Sequence, residues 1–298
     1  MNSTKKRYGG VEAGGTKFVL VVGNAEDSIE ARHSLPTTSP EETLAGVVAF
    51  FKAHAPISAL GIASFGPLVL DPRRADYGGF GKTPKAGWSG AGLVGPLKAA
   101  LNVPVGLDTD VNGAGLAEAV YGAGREEEVV VYITVGTGLG GGLIVRGEPV
   151  HGLTHPEMGH VRLPLHPRDA DFDGVCPFHG TCLEGLVSGP AISARLGGPL
   201  SSAASTDPIW EQIGYYLGGF CATLTLVTSP GKIILGGGVM ENTALFAPTR
   251  AALAEALNGY VGHPRLTGDL SDYIVPPKLG SNAGAIGALI LADRAFHA

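Results

Sequence analysis

Cysteine is scarce in this chain, with three residues in 298, and two of them, Cys176 and Cys182, share one short segment. No disulfide framework can be built from them, and such sparing use suits a reducing compartment. The third, Cys221, lies in an apolar stretch and reads as a buried free thiol. Charge is also thin: 16% of residues are charged, the net charge is −6, and no cluster of Lys and Arg offers the footprint a nucleic acid needs, which excludes nucleic acid as the main partner. Apolar runs stay well short of the roughly 18 residues of a membrane span. The start, Met1 to Arg7, carries no apolar stretch or small-residue cleavage site, so neither membrane nor export is expected and the location predicted is the cytoplasm. The P-loop pattern Gly-x4-Gly-Lys-Ser/Thr is missing as well.

What is abundant is glycine, 47 residues, on a 44% hydrophobic background. That background can fill one large core or two moderate ones, and the length favours two lobes. Residues 9 to 24 read as strand, glycine turn, strand, with Glu12-Ala13-Gly14-Gly15-Thr16-Lys17 at the turn. Residues 129 to 147 repeat the device around Gly136-Thr137-Gly138. Each hairpin precedes a helix-length segment (about 41 to 54 and about 208 to 228), then a short strand ending in small residues (59 to 64 and 232 to 236). Each half closes with a helix, a strand (103 to 107 and 273 to 275) and a last helix (about 112 to 121 and about 283 to 296). The expected fold class is α/β, a duplicated two-lobed architecture with a cleft, analogous to the ribonuclease H-like actin and hexokinase fold. The expected boundaries are a small lobe over 1–111, completed by the C-terminal helix at about 283–298, and a large lobe over 112–282. Residues 155–184 have no counterpart in the first half and read as an insertion at the cleft mouth.

That insertion holds Cys176-x2-His179-x2-Cys182, with His160 upstream. Thiolate and imidazole in this number and spacing suit tetrahedral Zn²⁺. Four protein ligands, His160, Cys176, His179 and Cys182, leave no open position for a reactive water. The expected zinc is therefore structural, a clip that shapes the loop carrying Glu157, His160 and Glu184.

Phosphate needs converging N–H donors that side chains do not obstruct, and glycine permits that approach. Three candidates offer it: Gly14, Gly15, Thr16 and Lys17; Gly136, Thr137 and Gly138; and Gly236, Gly237 and Gly238, the last expected to open a helix. Each taken alone is equally readable as a tight turn, and the repetition at matching points carries the case. Phosphoryl transfer to a hydroxyl also needs a carboxylate base. Asp110, in Asp108-Thr109-Asp110-Val111-Asn112, falls where a strand ends and a helix begins, a place favourable to ligand chemistry in α/β sheets. It also reads as a plain N-cap, and Asp108 ranks second for the base. Glu157, His160 and Glu184 suit the hydroxyls of a polyol, with His160 offering one nitrogen to zinc and the other to a hydroxyl. Glu184 reads equally as a helix-start carboxylate.

These residues together resemble the ROK group (repressor, open reading frame, kinase), and within it the bacterial fructokinases. The similarity covers essentially the whole chain through Glu12 to Lys17, Asp110 with Asn112, Gly136 to Gly142, Glu157-x-Gly-His160, and Cys176 to Glu184. It implies Asp110 as general base, sugar contacts from Asn112, Glu157, His160 and Glu184, a structural zinc, and Mg²⁺ with ATP as donor. The family's sugar-contacting Asn before the base is here Thr109, with Asn112 as a partial substitute, so both are candidate sugar-binding residues. Glu12, the Cys-x2-His-x2-Cys knuckle, Thr83-Pro84-Lys85 and Gly87-Trp88 look like the fructokinase branch. The expectation is an ATP-dependent kinase acting on the C6 hydroxyl of fructose, as a homodimer. The alternatives are the same chemistry on mannose, glucose or another hexose, and a sugar-binding regulator, for which the short stretch before the first hairpin leaves no DNA-reading module.

Overall fold

A computed structural model describes residues 6–298 apart from 25 and 27. The reading of Met1 to Lys5 as free of a leader falls outside the described residues. The chain divides into two compact units. The first holds the residues up to Tyr121, Pro149–His155 and Ser281–Ala298; the second holds Gly122–Glu148 and Pro156–Gly280. The first unit thus takes in the helix beyond residue 111, and also a short excursion at 149–155.

The first unit is built on a sheet of β1 (Tyr8–Ala13), β2 (Lys17–Gly23), β3 (Ile29–Pro36), β4 (Leu60–Ser64) and β5 (Val105–Thr109), in the order β3-β2-β1-β4-β5. The hairpin β1–β2 and the pair β2–β3 are antiparallel, while β4 and β5 run parallel to β1. The second sheet contains β6 (Val129–Val135), β7 (Leu139–Val145), β8 (Glu148–Pro149), β9 (Lys232–Gly236) and β10 (Ile274–Val275), and its order read from β8 is β8-β7-β6-β9-β10. β6 and β7 are antiparallel, and β9 and β10 run parallel to β6. The two sheets repeat one topology, the duplication expected from the two glycine hairpins.

The first-unit helices follow local rules. In α1 (Pro40–Ala53), the Ser39 side chain caps Glu42 N, Pro40 fills the first turn with Glu41 and Glu42, and Lys52 stands near the end. α2 (Val94–Leu101) buries Val94 and Leu97. α3 (Asp110–Val120) is capped by the Thr109 hydroxyl on Asn112 N. The C-terminal α8 (Ala283–His297) buries an unbroken run from Ala283 to Ala292. It lies so close to its neighbours that a Cβ on Gly61 would occupy the place of the Ala288 carbonyl, and one on Gly287 that of the Gly113 carbonyl. Small residues are needed where this helix crosses the sheet and α3. On the other face, Phe18, Phe80, Trp88 and Leu97 lie in a core with Val11, Leu20 and Ile62.

The second unit adds α4 (Leu183–Val187), α5 (Gly189–Leu196), α6 (Ile209–Thr228) and α7 (Phe246–Leu257). Its core joins Val131 and Ile133 to Ile233 and Leu235, under Leu217, Phe220 and Leu253. Cys221 is fully buried there, and burial pushes its thiol up to about 12. Gly236-Gly237-Gly238, expected to open a helix, opens a short 3-10 helix at Gly238–Glu241, and the α-helix α7 starts only at Phe246. Gly237 has φ +90°, and a Cβ there would press on Thr134 Oγ1 at 2.7 Å. The residue is fixed by close packing on the end of β6. No described helix is long and apolar enough to cross a membrane.

Candidate functional site

In the first unit, the turn between β1 and β2 carries Gly14, Gly15 and Thr16 and leads into Lys17 at the start of β2. Gly14 N donates to Lys17 O at 3.0 Å, and Thr37 braces the turn from outside, its hydroxyl donating to Gly14 O at 2.7 Å and its N–H to Thr16 O at 2.9 Å. Carbonyls are thereby occupied and the exposed tip is left bare, with no atom within 4 Å of a Cβ built on Gly15. Glu12, one residue from the end of β1, has its carboxyl held above the ordinary range, chiefly by burial and in part by the Asp110 charge, against the lowering pull of Arg32 and Lys17.

β5 runs two residues further than expected, so Asp108 and Thr109 belong to the strand and Asp110 opens α3. Asp110 Oδ1 accepts from Val111 N at 2.9 Å. Asp108 is 2% exposed. Its Oδ1 accepts from Thr109 N at 2.8 Å and Asn112 Nδ2 at 2.7 Å, and His151 Nε2 reaches both carboxylate oxygens at 3.1 Å. Thr109 spends its hydroxyl as the helix cap, and Asn112 is buried with Oδ1 lacking a protein donor. A buried acceptor left unpaired costs about 1–3 kcal/mol, so this atom calls for a donor from outside the chain.

His151 was not singled out by the sequence reading. The hydrogen bond to Asp108 raises its pKa, with burial opposing and the Asp108 charge adding. A folded pKa above the unfolded value means stabilisation that is complete below about 6.5 and lost as pH rises through the folded value. His155, also missed, is buried and its Nε2 accepts from Leu68 N at 3.2 Å, which places its own proton on Nδ1. The two histidines pin 149–155 to the first unit. Their spacing resembled no motif, and their partners are far away in sequence.

In the second unit, His160, Cys176, His179 and Cys182 converge, with ligand atoms all within 4.8 Å of one another. His160 Nδ1 lies 3.4 Å from Cys182 Sγ and 3.8 Å from Cys176 Sγ, and His179 Nδ1 lies 3.7 Å from Cys176 Sγ. Tetrahedral angles with the usual Zn–S and Zn–N bond lengths place such S and N atoms about 3.6 Å apart, so donor set and spacing are compatible with zinc. Both cysteines are buried, and the knuckle is turned by Gly180 at φ +57° with paired backbone bonds between Cys176 and Gly180. His160 presents Nδ1 to the thiols, which leaves Nε2 facing away from the cluster.

Cys182 is the N-cap of α4, and Glu184 follows in its first turn. Glu184 Oε2 accepts from Leu139 N at 3.0 Å, and Gly189 N donates to Gly136 O at 2.7 Å. The knuckle and α5 thus grip the two ends of Gly136-Thr137-Gly138, a link the sequence did not announce. Thr137 at the tip is exposed, as is Glu157. Glu184→Ala should speed deuterium exchange at the Leu139 amide by roughly 10- to 100-fold, the equivalent of about 1–3 kcal/mol. Glu184→Gln retains an acceptor and should leave exchange slow; equal rates in both variants would remove the carboxylate from this role.

A duplicated ribonuclease H-like α/β chain with paired glycine hairpins and a Cys/His knuckle defines a narrow class. Residues 8–295 match the ROK family, and the chain belongs to it. It is 45% identical over 299 residues to a fructokinase of Zymomonas mobilis, with 98% of each chain covered. It is 43% identical to a fructokinase of Pediococcus pentosaceus, covering 97% of this chain and 98% of that one. Among solved structures, the ROK family glucokinase of Streptomyces griseus in complex with glucose and AMPPNP superposes with a TM-score of 0.76 at 26% identity, covering 97% and 99% of the two chains.

Proposed function

We propose that this protein is an ATP-dependent fructokinase that transfers the γ-phosphoryl of Mg·ATP to the C6 hydroxyl of fructose. The observation that carries the reading is near-full-length identity of 38–45% to proteins named fructokinase from several bacteria, on a chain that keeps both glycine hairpins and the aspartate at the start of α3. Asp110 takes the hydroxyl proton. Asp108 is less suited to that step, because three donors already occupy it. Asn112, Glu157, His160 through Nε2, and Glu184 through its second oxygen contact the sugar. Thr109 is committed to its cap and acts through Asn112. Gly14 to Lys17 and Gly136 to Gly138 receive the phosphates, supported by the bare tips at Gly15 and Gly136, where a Cβ would meet nothing within 4 Å. Gly236 to Gly238 lie against the nucleoside. Mg²⁺ accompanies ATP and supplies charge neutralisation for the transferring group, and zinc in the knuckle is structural. The reading includes a cytoplasmic homodimer.

ADP formation from Mg·ATP, measured separately with fructose, mannose, glucose and N-acetylglucosamine, tests this assignment. Fructose is expected to give the highest kcat/KM. A higher value for another hexose would replace the substrate and keep the chemistry, whereas no turnover on any sugar, with sugar binding intact, would favour a sensor.

A further inference from the structure

The hydrogen-bond network behind Asp110 ends on a side chain with no place in the scheme above. Asp108 is buried, and it gathers the Thr109 amide, the Asn112 amide group and the His151 imidazole on its two oxygens. The first two donors belong to the junction of β5 and α3 itself. His151 is different: it arrives from 149–155, and it is the donor that can be removed without altering that junction's own sequence. Its side chain is 40% exposed, so its imidazole is not there to fill a core. Asn112 Nδ2 lies 3.4 Å from His151 Nε2, so amide and imidazole meet at Oδ1, and the imidazole alone of the three donors also reaches Oδ2. His155, four residues on, anchors the same segment to Leu68 N.

We infer that His151 is a positioning residue: by holding the Asp108 carboxylate it fixes the first turn of α3 and so the placement of Asp110. The inference rests on the reading of Asp110 as the base. Without the imidazole, Asp108 is held only by the two donors of its own junction, Thr109 N and Asn112 Nδ2, so its second oxygen is left unheld and the carboxylate two residues on loses its alignment. Proton abstraction is sensitive to such displacement, because the reacting atoms must meet within hydrogen-bond reach. The nucleotide turns belong to other strands and are not addressed by this network.

The test uses three substitutions in the full chain. Gln places a side-chain N–H donor the same number of bonds from Cβ as His Nε2, whereas Asn places it one bond short. His151→Ala should lower kcat on fructose about tenfold while the KM for Mg·ATP stays within about twofold. His151→Gln should restore most of the loss, and His151→Asn should not. Combining His151→Ala with Asp108→Asn should cost less than the two losses multiplied, since both act through one contact. Unchanged kcat in His151→Ala, equal behaviour of Gln and Asn, or multiplicative losses would each overturn the inference. Melting temperatures of the Gln and Asn variants that match each other confine the comparison to folded protein. Should the unsubstituted protein turn over no sugar, the reading of Asp110 fails first, which is a distinct result from active protein indifferent to His151.

Discussion

Asp110→Asn is expected to lower kcat on fructose by ~10² or more while the KM for fructose and the melting temperature change little. The substitution is close to isosteric, and the asparagine oxygen can still accept from Val111 N, as Asp110 Oδ1 does at 2.9 Å. Helix α3 keeps its Thr109 cap. The stability cost is therefore limited to the loss of a negative charge at a helix start, about 0.3–1 kcal/mol. What disappears is the capacity to take a proton. Glu12 gives an independent check, because the Asp110 charge contributes to the elevation of its carboxyl: the Glu12 carboxyl should titrate lower in Asp110→Asn. Asp108→Asn is the paired control. It disturbs an acceptor of three donors, so its harm should appear in stability as well as rate. Near-normal turnover in Asp110→Asn, with kcat lost in Asp108→Asn at unchanged stability, would exchange the roles of the two aspartates.

The sequence revealed most where pattern is local. Alternation and glycine turns located the hairpins, since Gly14, Gly15, Gly136 and Gly138 punctuate apolar runs that have no other reading. The knuckle was legible because Cys176, His179 and Cys182 are near neighbours and only His160 has to return. The location of Asp110 was correct, yet β5 extends to Thr109 and the cap belongs to Thr109, a shift of the kind propensity leaves open at element ends. Gly236 to Gly238 do open a helix, but only a short 3-10 one, and the sequence did not show that Gly237 is there for its positive φ and its fit against β6. The relations across long separations were not legible at all. Asp108 with His151, Leu68 with His155, and Leu139 with Glu184 are pairs made by folding. Nothing in the spacing of His151 or His155 names a partner. The same holds for Gly61 and Gly287, which look like ordinary small residues until α8 is laid across them.

Removing metal from the knuckle should lower the melting temperature and free the segment around it. His160, Cys176, His179 and Cys182 bring two buried thiols and two imidazoles together. Without a cation the thiolate form is disfavoured there: burial, with smaller contributions from Cys176 and Glu184, holds the Cys182 thiol well above the usual range. A divalent cation reverses the balance by favouring thiolate, and its binding energy becomes folding energy. The clip closes one segment of a long chain, so a loss of ~3 kcal/mol is a reasonable scale, equivalent to a fall of roughly 6–12 °C. Elemental analysis should find zinc bound, and both a strong chelator and Cys176→Ser should produce the fall. The effect should also travel. Cys182 stands at the N-cap position of α4, and Glu184 in its first turn holds Leu139 N at 3.0 Å, so chelation should speed exchange at the Leu139 amide, next to Gly136-Thr137-Gly138. Chelation that strips the metal yet leaves both melting and Leu139 exchange unchanged would show that the knuckle stands without it.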